Sequence, residues 1–373
     1  MAAYPGRVRR RTTAYLPALL VALALSAPGV ARAQPAPPPP PPPAQAWIVV
    51  DADSGAVVDA SNERVPLRAA SVIKLLTALI AVEQLAPGAT VPVSPVTEGM
   101  PARKINMKAG QTWALKDTLY SLLLVSANDA AVALAERVSG SRSGFAATMA
   151  EAARRLRLED APLLRDAAGL DAEPFAFEGG NLISARDLAI IARAALAQPE
   201  IRLIVARDSY RFHGGDGIDH RVINHNSLLT RYPGATGMKT GYTRSAGHTL
   251  IGSATRNGRT MISVVLNSVD PAASSAPLLD KGFLVPVALQ GARGYLPRVA
   301  SVADPTPAPP PARDVQVASA REVAAPATPS RRSATSGNVL VLVLGTAPAL
   351  AVVGRRRRLH RDRSGKPRYF SWG

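Results

Sequence analysis

The 373-residue chain predicts an α/β fold in which a five-stranded antiparallel sheet is flanked by helices and interrupted by a helical subdomain. Three observations carry this expectation. β-rich runs lie at both ends of a central body, 46–298, and mostly helical periodicity fills the middle. One helix, within 70–82, is apolar on every side and must therefore be buried on every side.

The elements follow in order. "AWIVVDADSGAVVDA" holds two strand-like runs around Asp53-Ser54-Gly55, a hairpin signal. "ASVIKLLTALIAV" is the buried helix. Helical segments are expected at Leu115–Leu124, 130–138, 145–156 and 185–196. The run leading into "MKTGYT" supplies a third strand. "HTLIGSATRNGRTMISVVLNS" supplies two more around Asn257-Gly258, the strongest two-residue hairpin signal.

The flanks read differently. Residues 1–33 form a secretory signal peptide: "RVRRR", an apolar core over 14–27, and Ala31-Arg32-Ala33 before the cleavage point. A proline-rich linker follows at 34–45. Residues 299–337 are a second low-complexity linker, rich in Pro, Ala, Arg and Ser. Residues 338–354 form a short apolar transmembrane candidate, followed at once by the basic tail 355–373; that arginine block acts as a stop-transfer signal. The protein is thus expected to be exported and held in a bacterial cytoplasmic membrane by its C-terminal helix, with the body outside and the tail in the cytosol.

The formal charge of +17 belongs mainly to these ends, because the body 46–298 carries only +4. Without a basic run interleaved with aromatics or a zinc spacing, nucleic-acid binding has no support. The absence of cysteine excludes disulfides and thiolate metal sites, and five scattered histidines make a poor metal case. A monomer is expected.

Within the buried helix sits one ammonium group, Lys74, three residues after Ser71. One helical turn places both side chains on the same face. Because "VPLRAA" has no helical period, Ser71 falls at the helix N-terminus, where the dipole favours developing negative charge. A serine hydroxyl needs an adjacent base to become a nucleophile. Burial can lower a lysine pKa by up to about 3–5 units, enough to make it that base. Alone the pair is weak, since about 0.5 Ser-x-x-Lys pairs arise per chain by chance, and a lysine snorkelling to the surface is the bland alternative.

Two further motifs change this. "SAND" places Ser126 and Asn128 between helical runs, with Asp129 a natural N-cap for the second. A second Ser-x-Asn, at Ser336 to Asn338, lies in the C-terminal tether and carries no weight. "MKTGYT" puts Lys239, Thr240 and Gly241 on a strand, where lysine and threonine can grip a carboxylate and the glycine admits a ligand backbone. Chance supplies this triplet on the order of 0.03 times per chain.

The set Ser71-x-x-Lys74, Ser126-x-Asn128 and Lys239-Thr240-Gly241 resembles the penicillin-recognising serine acyltransferases, which comprise the penicillin-binding proteins and serine β-lactamases. "SVIKLLTA", "SLLLVSANDAAVALAE", "ISARDLAIIARAAL", "NHNSLL", "ATGMKTGYT" and "LLDKGF" are similar to the serine-type D-alanyl-D-alanine carboxypeptidases of low molecular mass, over about 47–283. The pattern departs at Lys281, where an aromatic is usual, and no separate β domain follows Phe283.

The resemblance implies a β-lactamase/DD-peptidase-like fold and hydrolysis of the terminal D-Ala-D-Ala bond of peptidoglycan stem peptides, with β-lactams as inhibitors and no metal or cofactor. It assigns Ser71 as nucleophile, Lys74 as proton acceptor and Ser126 as proton relay. Asn128, Lys239, Thr240, Gly241 and Tyr242 would bind substrate, Lys239 and Thr240 holding the carboxylate. The backbone N–H groups of Ser71 and Tyr242 would form the oxyanion hole. A β-lactamase of class A would need Glu-x-x-Leu-Asn, and "EGGNL" at Glu178 has the wrong order. Slow release of a penicilloyl group is therefore expected. A non-enzymatic wall-associated penicillin-binding protein is the reading from another class.

Overall fold

Five strands pair into one antiparallel sheet: β1 (Ala44–Asp51), β2 (Val57–Ser61), β3 (Ala235–Thr243), β4 (Gly247–Arg256) and β5 (Arg259–Ser268). Their spatial order is β2-β1-β5-β4-β3, so the late strands, from Ala235, complete a sheet begun at Ala44. The computed structural model describes residues 44–298 apart from 102, 172 and 173. All of these lie in the first of the chain's two units, Met1–Ala308. The expected signal peptide, nearly all of the 34–45 linker, the 299–337 linker, the apolar run 338–354 and the basic tail fall outside the described residues. β1 starts at Ala44, two residues inside the stretch expected to be linker. Among the described residues no helix is long and apolar enough to cross a membrane.

Both predicted hairpins form. Asp51 Oδ1 accepts from the backbone N–H and the hydroxyl of Ser54, and Gly55 takes φ +75° to turn β1 into β2. Asn257 and Gly258, at φ +50° and +77°, place Arg256 opposite Arg259. Two successive positive φ angles are what a turn matched to strand twist requires.

The sheet is covered on both faces. On one side the helix Pro271–Leu284 packs Ala272 and Leu279 with Leu250, Ala254 and Met261. On the other, Ile251, Ile262, Val264 and Leu266 join the main core beneath α1 (Lys74–Gln84) and the helix Ala185–Ala197. Burial on both faces explains why β5 reads as a nearly continuous apolar run, Met261 to Leu266 broken only by Ser263, rather than an alternating one. At Lys281 the side chain forms an ion pair with Asp59 of β2 at 2.7 Å.

The helical subdomain surrounds α1, whose residues from Lys74 to Ala81 are all buried. α2 (Leu115–Leu124), α3 (Asn128–Ser139) and α4 (Arg142–Arg155) pack in sequence around it. α3 stops at Gly140, φ +73°, in the left-handed conformation that ends many helices.

The predicted capping role of Asp129 does not hold. Ala127 occupies the N-cap position of α3 without a side-chain bond, so Asn128 is already helical and Asp129 lies in the first turn. The fully buried carboxylate of Asp129 instead accepts from the backbone N–H groups of Ile105 and Met107. An Asp at this depth must find donors, and it finds them in a neighbouring loop. A further hairpin, Ser209–His213 paired with Asp219–Ile223, was not among the sequence expectations. It stacks Tyr210 on Tyr120 of α2 with ring centroids 3.7 Å apart.

Candidate active site

A 3-10 turn, Ala70–Ile73, leads directly into α1 and carries Ser71, while Lys74 opens the α-helix proper. Ser71 thus sits at the helix entrance as expected, in a tighter turn than an α-helix. Ala70 is held at φ +49°, a conformation that costs a residue with a Cβ about 1–2 kcal/mol. The surrounding structure imposes it. Thr249 of β4 donates its hydroxyl to the Ala69 carbonyl at 3.0 Å, and the edge strand β3 lies against the turn. Gly241 is required by this approach, because a Cβ there would lie 2.7 Å from the Ser71 nitrogen and 2.5 Å from Thr249 Oγ1.

Lys74 does not snorkel; it is 0 % exposed. Its Nζ has three oxygen neighbours: Ser71 Oγ at 2.9 Å, Asn128 Oδ1 at 2.9 Å and the Ala168 carbonyl at 2.5 Å. Burial strips the ammonium of hydration and brings its pKa from 10.5 down to about 7, although Asp166 and Asp129 pull in the opposite direction. The ring of partners then decides the proton arrangement. A neutral amine has two N–H bonds and one lone pair. Ala168 O and Asn128 Oδ1 can only accept, so they take the two N–H groups. Of the three, Ser71 is the one able to donate, so in the neutral form of the amine its hydroxyl can donate to the lone pair across 2.9 Å; in the charged form Nζ donates to Ser71 Oγ instead. Asn128 is oriented for this role because its Nδ2 donates to the Pro101 carbonyl at 3.2 Å.

The Ala168 carbonyl comes from the loop 163–181, whose base is closed by paired backbone bonds between Leu163 and Leu182. Asp166, 1 % exposed, organises the loop. One carboxylate oxygen accepts from the N–H groups of Ala168 and Leu170, and the other accepts from Phe177 N and from Arg142 of α4 at 2.9 Å. Asn181 adds bonds to the backbone of Arg165 and Asp166. Glu178 is directed away, toward Arg165 at 3.5 Å. Among the described residues of this loop, the group nearest Ser71 and Lys74 is a backbone carbonyl.

A cleft of about 210 Å³ opens over Ser71, lined also by Ser126, Asn128, Thr240, Gly241, Tyr242, Arg103, Leu170 and Thr243. Ser126 is held at φ +63° in the loop between α2 and α3. β3 presents Thr240 and the half-exposed Tyr242 along the cleft's edge. Two of the sequence candidates do not line it: Lys74, buried beneath Ser71, and Lys239. The Lys239 side chain is 1 % exposed, and Nζ turns back to the Thr240 carbonyl at 2.8 Å. Burial, with Lys74 and Arg103 nearby, holds its pKa well below the usual lysine range. Sequence reasoning missed Arg103, His225 and the Ala168 carbonyl. Among the described residues no group of His, Asp or Glu could hold a metal ion.

Solved structures share this architecture. A D-alanyl-D-alanine carboxypeptidase from Mycobacterium tuberculosis superposes with a TM-score of 0.63 at 33 % identity, covering 69 % of this chain and 97 % of that one. Penicillin-binding protein D2 from Listeria monocytogenes, in its cefotaxime-bound form, gives a TM-score of 0.56 at 26 % identity, covering 64 % and 97 %. The fold is that of the penicillin-binding proteins and DD-peptidases. Within that class, the family model for D-alanyl-D-alanine carboxypeptidase, peptidase S11, matches residues 33–270, and the chain belongs to this family. The curated D-alanyl-D-alanine carboxypeptidase DacB2 of M. tuberculosis is 36 % identical over 219 residues, 59 % of this chain and 73 % of that protein. The chain spans less than two thirds of several other curated carboxypeptidases.

Proposed function

We propose that the protein hydrolyses the terminal D-Ala-D-Ala bond of peptidoglycan stem peptides through an acyl-enzyme on Ser71, and that β-lactams acylate the same residue. One observation carries this reading: a fully buried lysine whose Nζ lies 2.9 Å from the Ser71 hydroxyl oxygen. Ser71 Oγ attacks the penultimate carbonyl carbon while its proton passes to Lys74 Nζ. The tetrahedral oxyanion is received by the backbone N–H groups of Ser71 and Tyr242, donors worth about 3–4 kcal/mol each. Collapse breaks the C–N bond, and Ser126 relays the proton to the departing D-alanine. Asn128 and the edge of β3 align the peptide. Water then attacks the ester, releasing the shortened peptide and restoring Ser71.

The β-lactamase alternative is disfavoured by the sequence at Glu178, which lacks the Glu-x-x-Leu-Asn order, and among the described residues of the loop 163–181 the group facing Ser71 is a carbonyl, which cannot act as a general base for water. Export by residues 1–33 and anchoring by 338–354 would place the body at the cell wall, where this substrate lies.

The test is D-alanine release from a muropeptide ending in D-Ala-D-Ala, with intact-mass analysis after penicillin treatment. The intact protein is expected to release D-alanine and to gain one penicilloyl group, mapped to Ser71, that persists for minutes or longer; Ser71→Ala should do neither. Absence of release by the intact protein, with stable acylation retained, would favour the non-enzymatic penicillin-binding reading. Rapid turnover of a chromogenic cephalosporin would favour the β-lactamase.

A further inference from the structure

The substrate's terminal carboxylate needs a cation, and Lys239 is poorly placed to supply one, being enclosed and turned to a backbone carbonyl. Arg103 is exposed and lines the cleft beside Ser71 and Thr240. It also borders a second groove of about 460 Å³, continuous with the cleft through Thr240, Gly241 and Tyr242.

Arg103 is held from both sides. Its own carbonyl accepts from Asn128 N at 2.8 Å, and the residues just after it are pinned by the Asp129 carboxylate at Ile105 N and Met107 N. Its guanidinium Nη1 lies 3.1 Å from His225 Nδ1. A guanidinium can only donate, so that ring nitrogen accepts and the His225 proton resides on Nε2. The histidine is fixed in turn by its backbone N–H, which donates to the Leu124 carbonyl at 3.2 Å.

Among the described residues Arg103 forms no ion pair, and no carboxylate lines the cleft. The aspartate in the adjoining groove, Asp270, is already paired with Arg231 by two bonds of 3.0 and 2.8 Å. Asp129 and Asp166 are buried and occupied by backbone donors. The cleft wall therefore presents a positioned, unneutralised guanidinium with free N–H groups. Such a fork matches a carboxylate in geometry as well as charge.

We propose that Arg103, positioned by His225, reads the terminal carboxylate of the substrate together with Thr240, and so sets the requirement for a free C-terminus. This rests on the hydrolase reading above. Arg103 donates to the carboxylate oxygens; His225 does not touch the substrate and acts by holding the guanidinium at the cleft rim.

The experiment compares two peptides identical except for the last group, D-Ala-D-Ala with a free carboxylate and the same sequence ending in a carboxamide. The leaving amine is measured for the unaltered protein, Arg103→Ala, Arg103→Lys and His225→Ala. The ratio of kcat/KM for the two peptides within one preparation does not depend on how much of it is folded. The unaltered protein is expected to prefer the carboxylate. Arg103→Ala should lower kcat/KM for it about 30- to 100-fold, mainly through KM, and change the carboxamide by less than about threefold. Arg103→Lys should recover part of the preference. His225→Ala should weaken it by about fivefold, again in KM. A preference unchanged in Arg103→Ala, or an equal loss on both peptides, overturns the assignment. An unaltered protein inert toward both peptides sinks the hydrolase reading itself, a failure seen before any variant is made.

Discussion

Lys74 shows how much one side chain depends on what it lacks. Its amine is shifted by loss of water more than by any charged neighbour, and the two nearest buried carboxylates only partly oppose that shift. Because the folded-state value is depressed, the amine carries its proton below about pH 7 and loses it above. The form able to accept the Ser71 proton therefore disappears as the pH falls through that value. Acylation by a fluorescent penicillin, measured from pH 5 to 9, should fall about tenfold per unit below pH 7 and level off above it. Lys74→Arg should show no acylation at any of these pH values, since a guanidinium stays charged. A flat profile across the range would remove Lys74 as the base.

At the scale of elements, the loop 163–181 and the start of α3 bring together groups that no single motif contains. α3 presents Asn128 to Lys74, and its next residue, Asp129, reaches back to hold the loop bearing Arg103. The 163–181 loop delivers one carbonyl, and Asp166 is the clamp that delivers it. Asp166→Asn removes the ion pair with Arg142 and leaves backbone N–H groups facing an amide that cannot accept them all. Breaking such a buried pair costs about 3–5 kcal/mol. Thermal unfolding should show a loss of that order. In the fraction that remains folded, the acylation rate should fall by at least about tenfold, because Lys74 loses a fixed acceptor. Unchanged stability and acylation would mean the loop is held by its apolar contacts alone.

For the whole molecule, the sheet joins the early and late strands of the body 44–298, far apart in sequence, and this closure sets β3 against the turn that carries Ser71. The body 44–298 contains every group of the proposed mechanism. A chain ending at residue 298 should therefore keep its acylation rate within about twofold, and if 338–354 is the anchor proposed above, the truncation should also shift the protein from the membrane pellet to the soluble fraction. Loss of acylation on truncation would mean that residues beyond 298 help build the site.

Much of this was legible in residues alone. Short-range rules sufficed for the hairpins at Ser54-Gly55 and Asn257-Gly258, the helices around 115–124 and 185–197, and the greasy helix that must bury its lysine. Ser71, Lys74, Ser126, Asn128, Thr240, Gly241 and Tyr242 could be singled out from motifs and resemblance because most carry a distinctive side chain, and the fold gathers them at or beneath one cleft. Tertiary structure alone decided three things: the Ala168 carbonyl on Lys74, Lys239 turned inward with Arg103 left at the cleft rim, and Asp129 tying down a loop instead of capping its helix. A backbone carbonyl is the same in every residue, and a cation's direction depends on loops that meet only after the sheet has closed. Neither leaves a pattern in the order of the residues.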